Sequence, residues 1–502
     1  MKPPDEAPPP ERDDEDHVLA ERRQKLDRLR DAGVEPFALG FRDSVAIADV
    51  LSRYEKLEPG EEAQDSFRLA GRISARRGHG KAAFLDLVDR SGRIQLHARK
   101  DVLGDAYEGL VDLDLGDLIG VEGAPFRTRR GELSLRVDGW QLLAKSLRPP
   151  PDKYHGLSDV ETRYRRRELD LLANEETRSL FIMRSRLVAA IRRFLDERGF
   201  LEVETPVLQP LYGGALARPF TTHYNALDRN FYLRIATELY LKRLIVGGLE
   251  KVYELGKDFR NEGISHKHNP EFTMLETYEA WADYEDVAAM TEELVAHAAE
   301  QTLCGTTVER DGETIDLSPP WRRITLRDAI ETEAGVDIEA AADRQTLLAA
   351  MQQAGIDSDP ELGTGWGKLV DELLTKHVEP KLIQPTFVLD YPVELSPFAK
   401  PHRSKPGLVE RFEGFIGGIE VANAFSELND PDEQRRRFAE QQRLAAGGDE
   451  ETQPFDEDYV HALEHGMPPT GGLGLGIDRL LMLLSGRHSI REVVLFPALR
   501  SP

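Results

Sequence analysis

Apolar and polar residues follow more than one period along this chain, and each period predicts a different element. Residues 17–32 place apolar side chains among charged ones at helical spacing, and Gly33 and Pro36 then end the pattern. Residues 180–198 carry a stronger apolar stripe with arginines on the opposite side, and Gly199 stops it. We therefore expect an amphipathic helix in each of these two segments.

Between residues 66 and 145 the pattern changes to short alternating strands that glycines and charged turns separate. Residues 67–73, 83–87 and 93–97 are clear examples. About five such strands within this length are typical of a small β-barrel of the OB type. The proline run at 149–151 then indicates a linker.

Beyond the linker the chain mixes long helices with strands, and residues 335–380 resemble helices inserted between core strands. The first 16 residues hold five prolines and seven acidic groups, a composition too polar to fold. The domains that we expect are a disordered tail at 1–16, a helical segment at 17–65, the OB-type barrel at 66–148, a linker at 149–179 and a larger domain at 180–502.

Composition narrows the class of protein. A chain of 502 residues is too long to fold around a single hydrophobic core, so we expect more than one domain. It contains no apolar run of membrane-spanning length and no apolar signal segment, so we expect a cytoplasmic protein without a membrane partner. One cysteine, Cys304, excludes an intrachain disulfide and a cysteine-rich zinc site. The net charge is −25, yet residues 66–150 hold 15 Lys+Arg against 11 Asp+Glu, which permits a local nucleic-acid contact.

Residues 251–259 and 271–279 have the pattern of two strands joined by a polar loop that begins with Arg260. An arginine at a strand end can present its planar fork to a carboxylate or a phosphate. Alternation along the second strand places four side chains on one face: Phe272, Met274, Glu276 and Tyr278. This set suits an adenosine or amino-acid site. The alternative is an ordinary hairpin with a surface ion pair between Arg260 and Glu262.

A second candidate is the glycine-rich stretch 471–479, which ends in Arg479 and leads into an apolar helix at 480–484. We interpret it as a glycine-rich turn before a helix start, where backbone can approach an anion closely. A tightly packed strand-to-helix crossing is the alternative.

A third candidate is the acidic hairpin at 411–430, whose two-residue turn is Gly417-Gly418. A regular register pairs Glu413 with Ala422 and Glu420 with Phe415, so both carboxylates lie on one face. Magnesium is the natural cation between two such carboxylates. A solvated acidic face is the alternative.

In order and spacing, these segments resemble the three signature motifs of class II aminoacyl-tRNA synthetases. The helix, strand and proline at 180–206 match motif 1, the Arg260 hairpin matches motif 2, and the turn with Arg479 matches motif 3. The resemblance implies an α+β fold: an N-terminal OB-fold barrel, then a class II catalytic domain with an antiparallel sheet flanked by helices. In detail, the chain resembles the bacterial-type lysyl-tRNA synthetases, and this resemblance covers about residues 60–500. The stretches that carry it are 213–220, 238–244, 259–279 and 425–430.

The resemblance implies two catalytic arginines, Arg260 on the amino-acid carboxylate and the ATP α-phosphate, and Arg479 on the γ-phosphate. Glu413 and Glu420 would hold Mg²⁺ as the metal residues. The implied ATP-binding residues are Arg260, Glu262, His268, Phe272, Glu413 and Arg479.

For the amino acid, the resemblance places Glu427 and Tyr278 at the lysine ε-ammonium, and Glu238 with the Gly214 backbone at the α-amino group. An aspartyl enzyme would need cationic groups at those positions. The implied lysine-binding residues are Gly214, Glu238, Arg260, Glu276, Tyr278, Asn423, Phe425 and Glu427.

Simple alternation, however, directs Asn423, Phe425 and Glu427 away from the face of Glu420, while the family needs all four around one site. We therefore predict a bulge or a sharp twist near Val421.

In the barrel, the resemblance implies that Phe84 stacks on an anticodon base and that Gln95 and Glu132 bond base edges, with Arg72 and His79 joining them.

The function expected from the resemblance is a homodimeric, ATP-dependent lysine–tRNA ligase with motif 1 at the subunit interface. It would convert L-lysine to lysyl-adenylate and transfer it to the 3′ end of tRNA(Lys). The alternatives are a class II ligase for aspartate or asparagine, a paralogue that lysylates a protein, and a catalytically silent RNA-binding protein.

Overall fold

The computed structural model describes residues 12–78, 80–151, 157–358, 365–446 and 453–500. The chain divides into two compact units, Met1–Ser158 and Asp159–Pro502. Among the described residues, no helix is both long and apolar enough to cross a membrane.

The first unit contains a closed five-stranded barrel with strand order β1-β2-β3-β5-β4. Alternation explains the barrel: in β3 the side chains of Ile94, Leu96 and Ala98 are buried, and those between them lie on the outer face. The predicted OB-type barrel is confirmed. Its strands are β1 (Phe67–Arg77), β2 (Ala82–Val88), β3 (Arg93–Arg99), β4 (Leu118–Arg127) and β5 (Leu133–Ala144). The helices of this unit are α1 (Arg12–Asp31), α2 (Ile47–Arg53), α3 (Lys100–Leu103) and α4 (Ala106–Asp112).

Two predicted boundaries differ from the structure. Helix α1 begins at Arg12, so residues 12–16 are helical, as acidic residues near a helix start allow. Residues 1–11 lie outside the described part. The expected linker at 149–179 is also too long, because residues 160–173 already form two helices. The buried Arg167 anchors them: its guanidinium donates to Asp170 at 2.6 Å and to three carbonyls of residues 491–495.

The second unit is built on an eight-stranded sheet with strand order β14-β15-β16-β17-β18-β11-β10-β6. Its inner pairs are antiparallel, and one parallel strand is added at each edge. Thus the predicted antiparallel sheet becomes a mixed one at its margins. Its strands are β6 (Leu201–Glu202), β10 (Lys251–Phe259), β11 (Glu271–Ala280), β14 (Arg322–Thr325), β15 (Thr386–Pro392), β16 (Leu408–Ile416), β17 (Ile419–Ser426) and β18 (Thr470–Gly476). Smaller sheets contain β7 (Leu208–Gln209), β8 (Thr221–Tyr224), β9 (Arg229–Leu233), β12 (Thr307–Arg310) and β13 (Glu313–Asp316).

Helices cover this sheet, and the main core lies between it and the long helices at 175–196, 284–303 and 477–484. The predicted helical insertion corresponds to helices between β14 and β15 with a core of their own. The helices are α5 (Val160–Arg165), α6 (Arg167–Ala173), α7 (Glu175–Asp196), α8 (Glu238–Val246), α9 (Tyr284–Leu303), α10 (Leu326–Ala334), α11 (Arg344–Gln353), α12 (Trp366–Leu373), α13 (Pro431–Ala446), α14 (Glu457–Glu464), α15 (Ile477–Leu484) and α16 (Ile490–Val493). Short turns of 3₁₀ or π type occupy Asn225–Leu227, Leu374–Val378, Glu379–Lys381 and Val393–Leu395.

The predicted irregularity in β17 is confirmed. Gly414 pairs with Ala422 and Phe415 with Glu420, so Val421 is the extra residue of a bulge. The predicted partner of Glu413 was wrong for the same reason: the extra residue shifts the register, and Glu413 pairs with Asn423. The bulge turns Glu420 to the same side of the sheet as Asn423 and Phe425.

The glycine-rich stretch is a central strand, β18, and the interpretation as a turn was wrong. Glycine is needed here because neighbouring side chains fill the space that a Cβ would take. At Gly471 a Cβ would lie 2.5 Å from Val287, and at Gly472 it would fall on the carboxylate of Glu427.

Candidate active site

Two adjoining cavities lie on one face of the large sheet. We call the first, of about 300 Å³, the acidic cavity, and the second, of about 200 Å³, the basic cavity. Both are lined by Arg260, Met274, Glu420, Asn423 and Gly474, so Arg260 stands where they meet. The other predicted residues in the acidic cavity are Gly214, Glu238, Glu276, Tyr278, Glu413, Phe425 and Glu427. The other predicted residues in the basic cavity are Glu262, His268, Phe272 and Arg479.

Three buried carboxylates define the acidic cavity, each delivered by a different element. Glu238 is the first residue of α8, Glu276 lies on β11, and Glu427 directly follows β17. Glu276 accepts from the Thr237 backbone amide at 3.0 Å and from the Tyr278 hydroxyl at 3.1 Å. In contrast, both carboxylate oxygens of Glu427 are buried without a hydrogen bond of good geometry among the described residues, although Oε2 forms an ion pair with Lys242. An unsatisfied buried carboxylate oxygen indicates a ligand that donates to it.

Burial shifts the protonation of this cluster. It raises the pKa of Glu238 to about 7, and it raises the pKa values of Glu276 and Glu427 as well. Repulsion between the carboxylates adds to the effect. A cationic ligand in the cavity would favour the ionised forms, so the arrangement suits a molecule with ammonium groups.

Lys242 also touches this cluster, and the sequence analysis missed it. Its Nζ atom lies 2.5 Å from Glu238 Oε1 and also forms an ion pair with Glu427 Oε2. The i, i+4 spacing of Glu238 and Lys242 on one helix was the available signal. That spacing is common on solvated helices, so it did not indicate a buried pair.

Glycines give the acidic cavity its space. A Cβ at Gly472 would meet Tyr278 Cε1 at 2.7 Å as well as the Glu427 carboxylate. Gly214 has φ of +89°, and its missing side chain leaves room beside Glu238.

At the junction, the guanidinium of Arg260 lies 5.0 Å from the ring centroid of Phe272, as in a cation–π contact. Nearby, Arg411 forms an ion pair with Glu413 at 2.5 Å and donates to Asn423 at 3.0 Å. The sequence analysis also missed Arg411, which holds two of the predicted residues in place.

The basic cavity is organised by Arg479 at the start of α15. Its Nη1 atom donates to the side chain and to the backbone carbonyl of Glu420, each at 2.9 Å, and its Nη2 lies 3.3 Å from His268 Nε2. Burial and the adjacent arginine charge lower the pKa of His268, so its imidazole is neutral at pH 7. A neutral ring beside two arginines leaves the cavity suited to a phosphate chain.

Glu413 and Glu420 fit a divalent cation in part. Both line the acidic cavity, and burial, together with the charge of Glu420, raises the pKa of Glu413 to about 7. Within the described ranges no group of three or more metal-ligating side chains occurs. Mg²⁺ is often bound through only one or two carboxylates plus substrate phosphates, and these two residues match that requirement.

In the barrel, three predicted residues lie near one another on β2, β3 and the start of β5. The rings of Phe84 and His97 stack at 4.6 Å with an interplanar angle of 8°. Gln95 Oε1 accepts from Ser134 at 3.2 Å, and Glu132 lies 3.6 Å from Arg93. This face offers an aromatic platform with polar groups beside it.

The structure does not bring Arg72 to that face. Its register partner is Val88, whereas Phe84 pairs with Arg77, and its guanidinium donates to the carbonyl of Gly116 at 2.7 Å. The remaining anticodon candidate, His79, lies outside the described residues.

Comparison with known proteins agrees with this arrangement. Residues 159–500 match the family described as tRNA synthetases class II (D, K and N), and residues 67–143 match the OB-fold nucleic acid binding domain. The chain therefore belongs to the class II tRNA synthetases of this group.

Its relatives narrow the group further. A lysine–tRNA ligase of Carboxydothermus hydrogenoformans is 53% identical over 95% of this chain and 97% of its own length. Those of Moorella thermoacetica and a Synechococcus strain are also 53% identical, over 97% and 95% of this chain and 98% of each relative. Within the class II synthetases, the chain belongs to the lysine–tRNA ligase family.

Proposed function

We propose that this protein activates L-lysine with ATP to lysyl-adenylate and transfers the lysyl group to the 3′ end of tRNA(Lys). The observation that carries the proposal is the acidic cavity. Glu238, Glu276 and Glu427 are buried together with one internal lysine, and Arg260 stands where this cavity meets the basic cavity. An amino acid with two ammonium groups and one carboxylate complements this distribution of charge.

The reaction follows from the order of the groups. With its α-amino group near Glu238 and Gly214 and its ε-ammonium between Glu427 and Tyr278, lysine directs its carboxylate toward Arg260. That carboxylate attacks the α-phosphorus of ATP, and pyrophosphate leaves. Arg260 stabilises the charge that develops on both reactants, and Arg479 holds the γ-phosphate. The tRNA terminal hydroxyl then attacks the activated carbonyl and AMP departs. Positioning and electrostatics supply the catalysis.

On the nucleotide side, Phe272 would stack on the adenine, with Glu262 and His268 contacting the base and the phosphates. Glu413 and Glu420 are the residues that would hold Mg²⁺, which neutralises phosphate charge during the transfer. Arg479 binds Glu420 in this structure, so nucleotide binding would exchange that ion pair for contacts with phosphate.

For tRNA, we assign the anticodon to the barrel face around Phe84, Gln95 and Glu132, where a splayed base can stack and its edges can be bonded. The place of Arg72 in this set remains a hypothesis, since it lies away from the other three.

We further propose a homodimer that acts in the cytoplasm. Apolar residues in the motif 1 segment and directly after it are exposed in the single chain, namely Leu201, Val207 and Leu208. Burial of such a patch against a second copy is the simplest reason for its composition.

The competing functions can be separated by pyrophosphate exchange with ATP and each amino acid. We expect exchange with lysine, because only a cationic side chain balances the acidic cavity. Exchange with aspartate or asparagine alone would refute the assignment. A silent RNA-binding protein would show no exchange, and charging of tRNA(Lys) separates this protein from a paralogue that lysylates a protein.

A further inference from the structure

The ammonium of Lys242 lies behind the acidic cavity and touches it only through carboxylates. Its side chain is fully enclosed, and Lys242 is not among the described residues that line the cavity. Its Nζ atom lies 5.2 Å from the ring centroid of Phe398 and 5.3 Å from that of Phe425. A buried ammonium in such surroundings is retained only when carboxylates compensate its lost hydration.

The charges around the cavity then match those of the amino acid. Glu238, Glu276 and Glu427 supply three negative charges when ionised, and Lys242 cancels one of them. Of the other charged side chains that line the cavity, Glu413 is paired with Arg411 and Glu420 with Arg479, and Arg260 is left for the carboxylate of the ligand. Two negative charges therefore remain for the two ammonium groups of lysine. Without Lys242 the cavity would carry one carboxylate charge in excess, and burial would drive that group to take up a proton.

The geometry also divides the oxygens of these carboxylates into those that contact Lys242 and those that do not. Lys242 contacts Oε1 of Glu238 and Oε2 of Glu427. Oε1 of Glu427, the oxygen that Lys242 does not contact, is buried without a hydrogen-bond donor among the described residues, and Oε2 of Glu238 lies beside Gly214. Lys242 thus contacts one oxygen of each carboxylate, and the other oxygen is left to accept from a ligand.

We infer that Lys242 is a positioning residue for amino-acid recognition, because it keeps Glu238 and Glu427 ionised and oriented. Its positive charge also leaves the three carboxylates with two negative charges that are not compensated within the protein. The inference rests on the proposed function, because it takes lysine as the ligand.

Other ionisable groups also surround the cluster of carboxylates. Glu276 and Tyr278 face it from β11, Arg411 from β16 and Tyr459 from α14. Burial raises the pKa values of both tyrosines, so they stay neutral. Glu413 and Asp258, whose pKa values are also raised to about 7 by burial, titrate in the same range. Because neither is paired with Lys242, their effect on lysine binding is common to the wild type and the variant, and it cancels in the ratio of the two KM values.

The test is Lys242→Met, which keeps an unbranched side chain, shorter by the ammonium group alone, and removes its charge. We expect the KM for lysine in pyrophosphate exchange to rise about 100-fold at pH 7, the scale for breaking a buried charge pair. The KM for ATP should stay within about threefold, because this residue touches no group of the basic cavity. Lys251→Met, which removes the surface ion pair with Glu279, is the matched control and should leave both constants unchanged.

The pH profile separates charge from packing. Protonated carboxylates bind an ammonium poorly, and higher pH ionises them. The ratio of the variant's lysine KM to that of the wild type should therefore fall as pH rises from 6.5 to 8.5. A ratio that is constant with pH, or a lysine KM within threefold of the wild type, would overturn the inference.

Lys242→Gln provides a second variant that retains a hydrogen-bond donor, and its lysine KM should show the same trend with pH. If neither variant folds, Lys242 serves the fold and the inference is wrong. If the wild type itself shows no lysine-dependent exchange, the proposed function fails, and the inference fails with it. A lysine-active wild type with unaffected Lys242 variants contradicts the inference alone.

Discussion

The acidic and basic cavities share Arg260 but handle charge in different ways. At the acidic cavity the side chains of Glu427 and of Lys242 behind it are fully buried and form an ion pair, and Lys242 also pairs with Glu238. In the basic cavity the Arg479 side chain is 23% exposed, and its charge is partly screened by water. Under the proposed assignment, the amino acid is selected by charges that are excluded from water, and the nucleotide is bound by charges that remain accessible to it.

This difference predicts unequal effects of equally small substitutions. A buried charge that loses its partner keeps the full desolvation penalty, whereas a partly exposed charge can be hydrated in its place. Removing one charge from the acidic cavity should therefore change lysine binding more than removing one from the basic cavity changes ATP binding.

The largest effect is expected for Glu427→Gln. The amide keeps the shape of the side chain but removes the carboxylate opposite the lysine ε-ammonium, and it also leaves Lys242 short of a partner. We expect the KM for lysine to rise about 100- to 1,000-fold, while the KM for ATP changes little. Steady-state pyrophosphate exchange measures both constants.

Glu410→Gln is the control for this change. Glu410 is also a buried, ion-paired glutamate, but it pairs with Arg403 and lies outside both cavities. Its substitution should leave both constants near the wild-type values. An unchanged lysine KM in Glu427→Gln would remove that residue from recognition.

A smaller effect is expected for Arg479→Ala. Loss of a charged donor to phosphate should raise the KM for ATP about 10- to 100-fold and leave the KM for lysine nearly constant. The matched control is Arg487→Ala, since Arg487 has the same 23% exposure but pairs with Glu176 and Glu492. If the lysine KM changed as strongly as the ATP KM, the separation of the two cavities would be wrong.

Much of this fold could be predicted because its signals are local. Alternation located the hairpin of β10 and β11 almost to the residue and gave the positions of β1, β2 and β3, although β1 extends four residues beyond its predicted end. Gly417-Gly418 fixed a two-residue turn with positive φ at both positions. The bulge at Val421 could also be predicted, since a regular strand could not bring Glu420 and Glu427 to one site.

The parts that could not be predicted depend on contacts between distant segments. The glycines of β18 are required by Glu427 and Val287, which approach from other elements, so the stretch looked like a turn when taken alone. Lys242 looks like an ordinary member of a helical ion pair until β17 brings Glu427 against it. Burial of charge is a tertiary property, and no periodicity in one segment reports it.

The most direct test of the account compares the binding of lysine and norleucine to the wild-type protein by isothermal titration calorimetry. Norleucine has the same carbon chain without the ε-ammonium, so it would leave Oε1 of Glu427 buried without a donor, with Lys242 as the only cation on that carboxylate among the described residues. We predict that lysine binds at least about 1,000-fold more tightly, in line with sites built to pair a polar group. Norleucine binding within tenfold of lysine would contradict the claim that the buried acids select the amino acid.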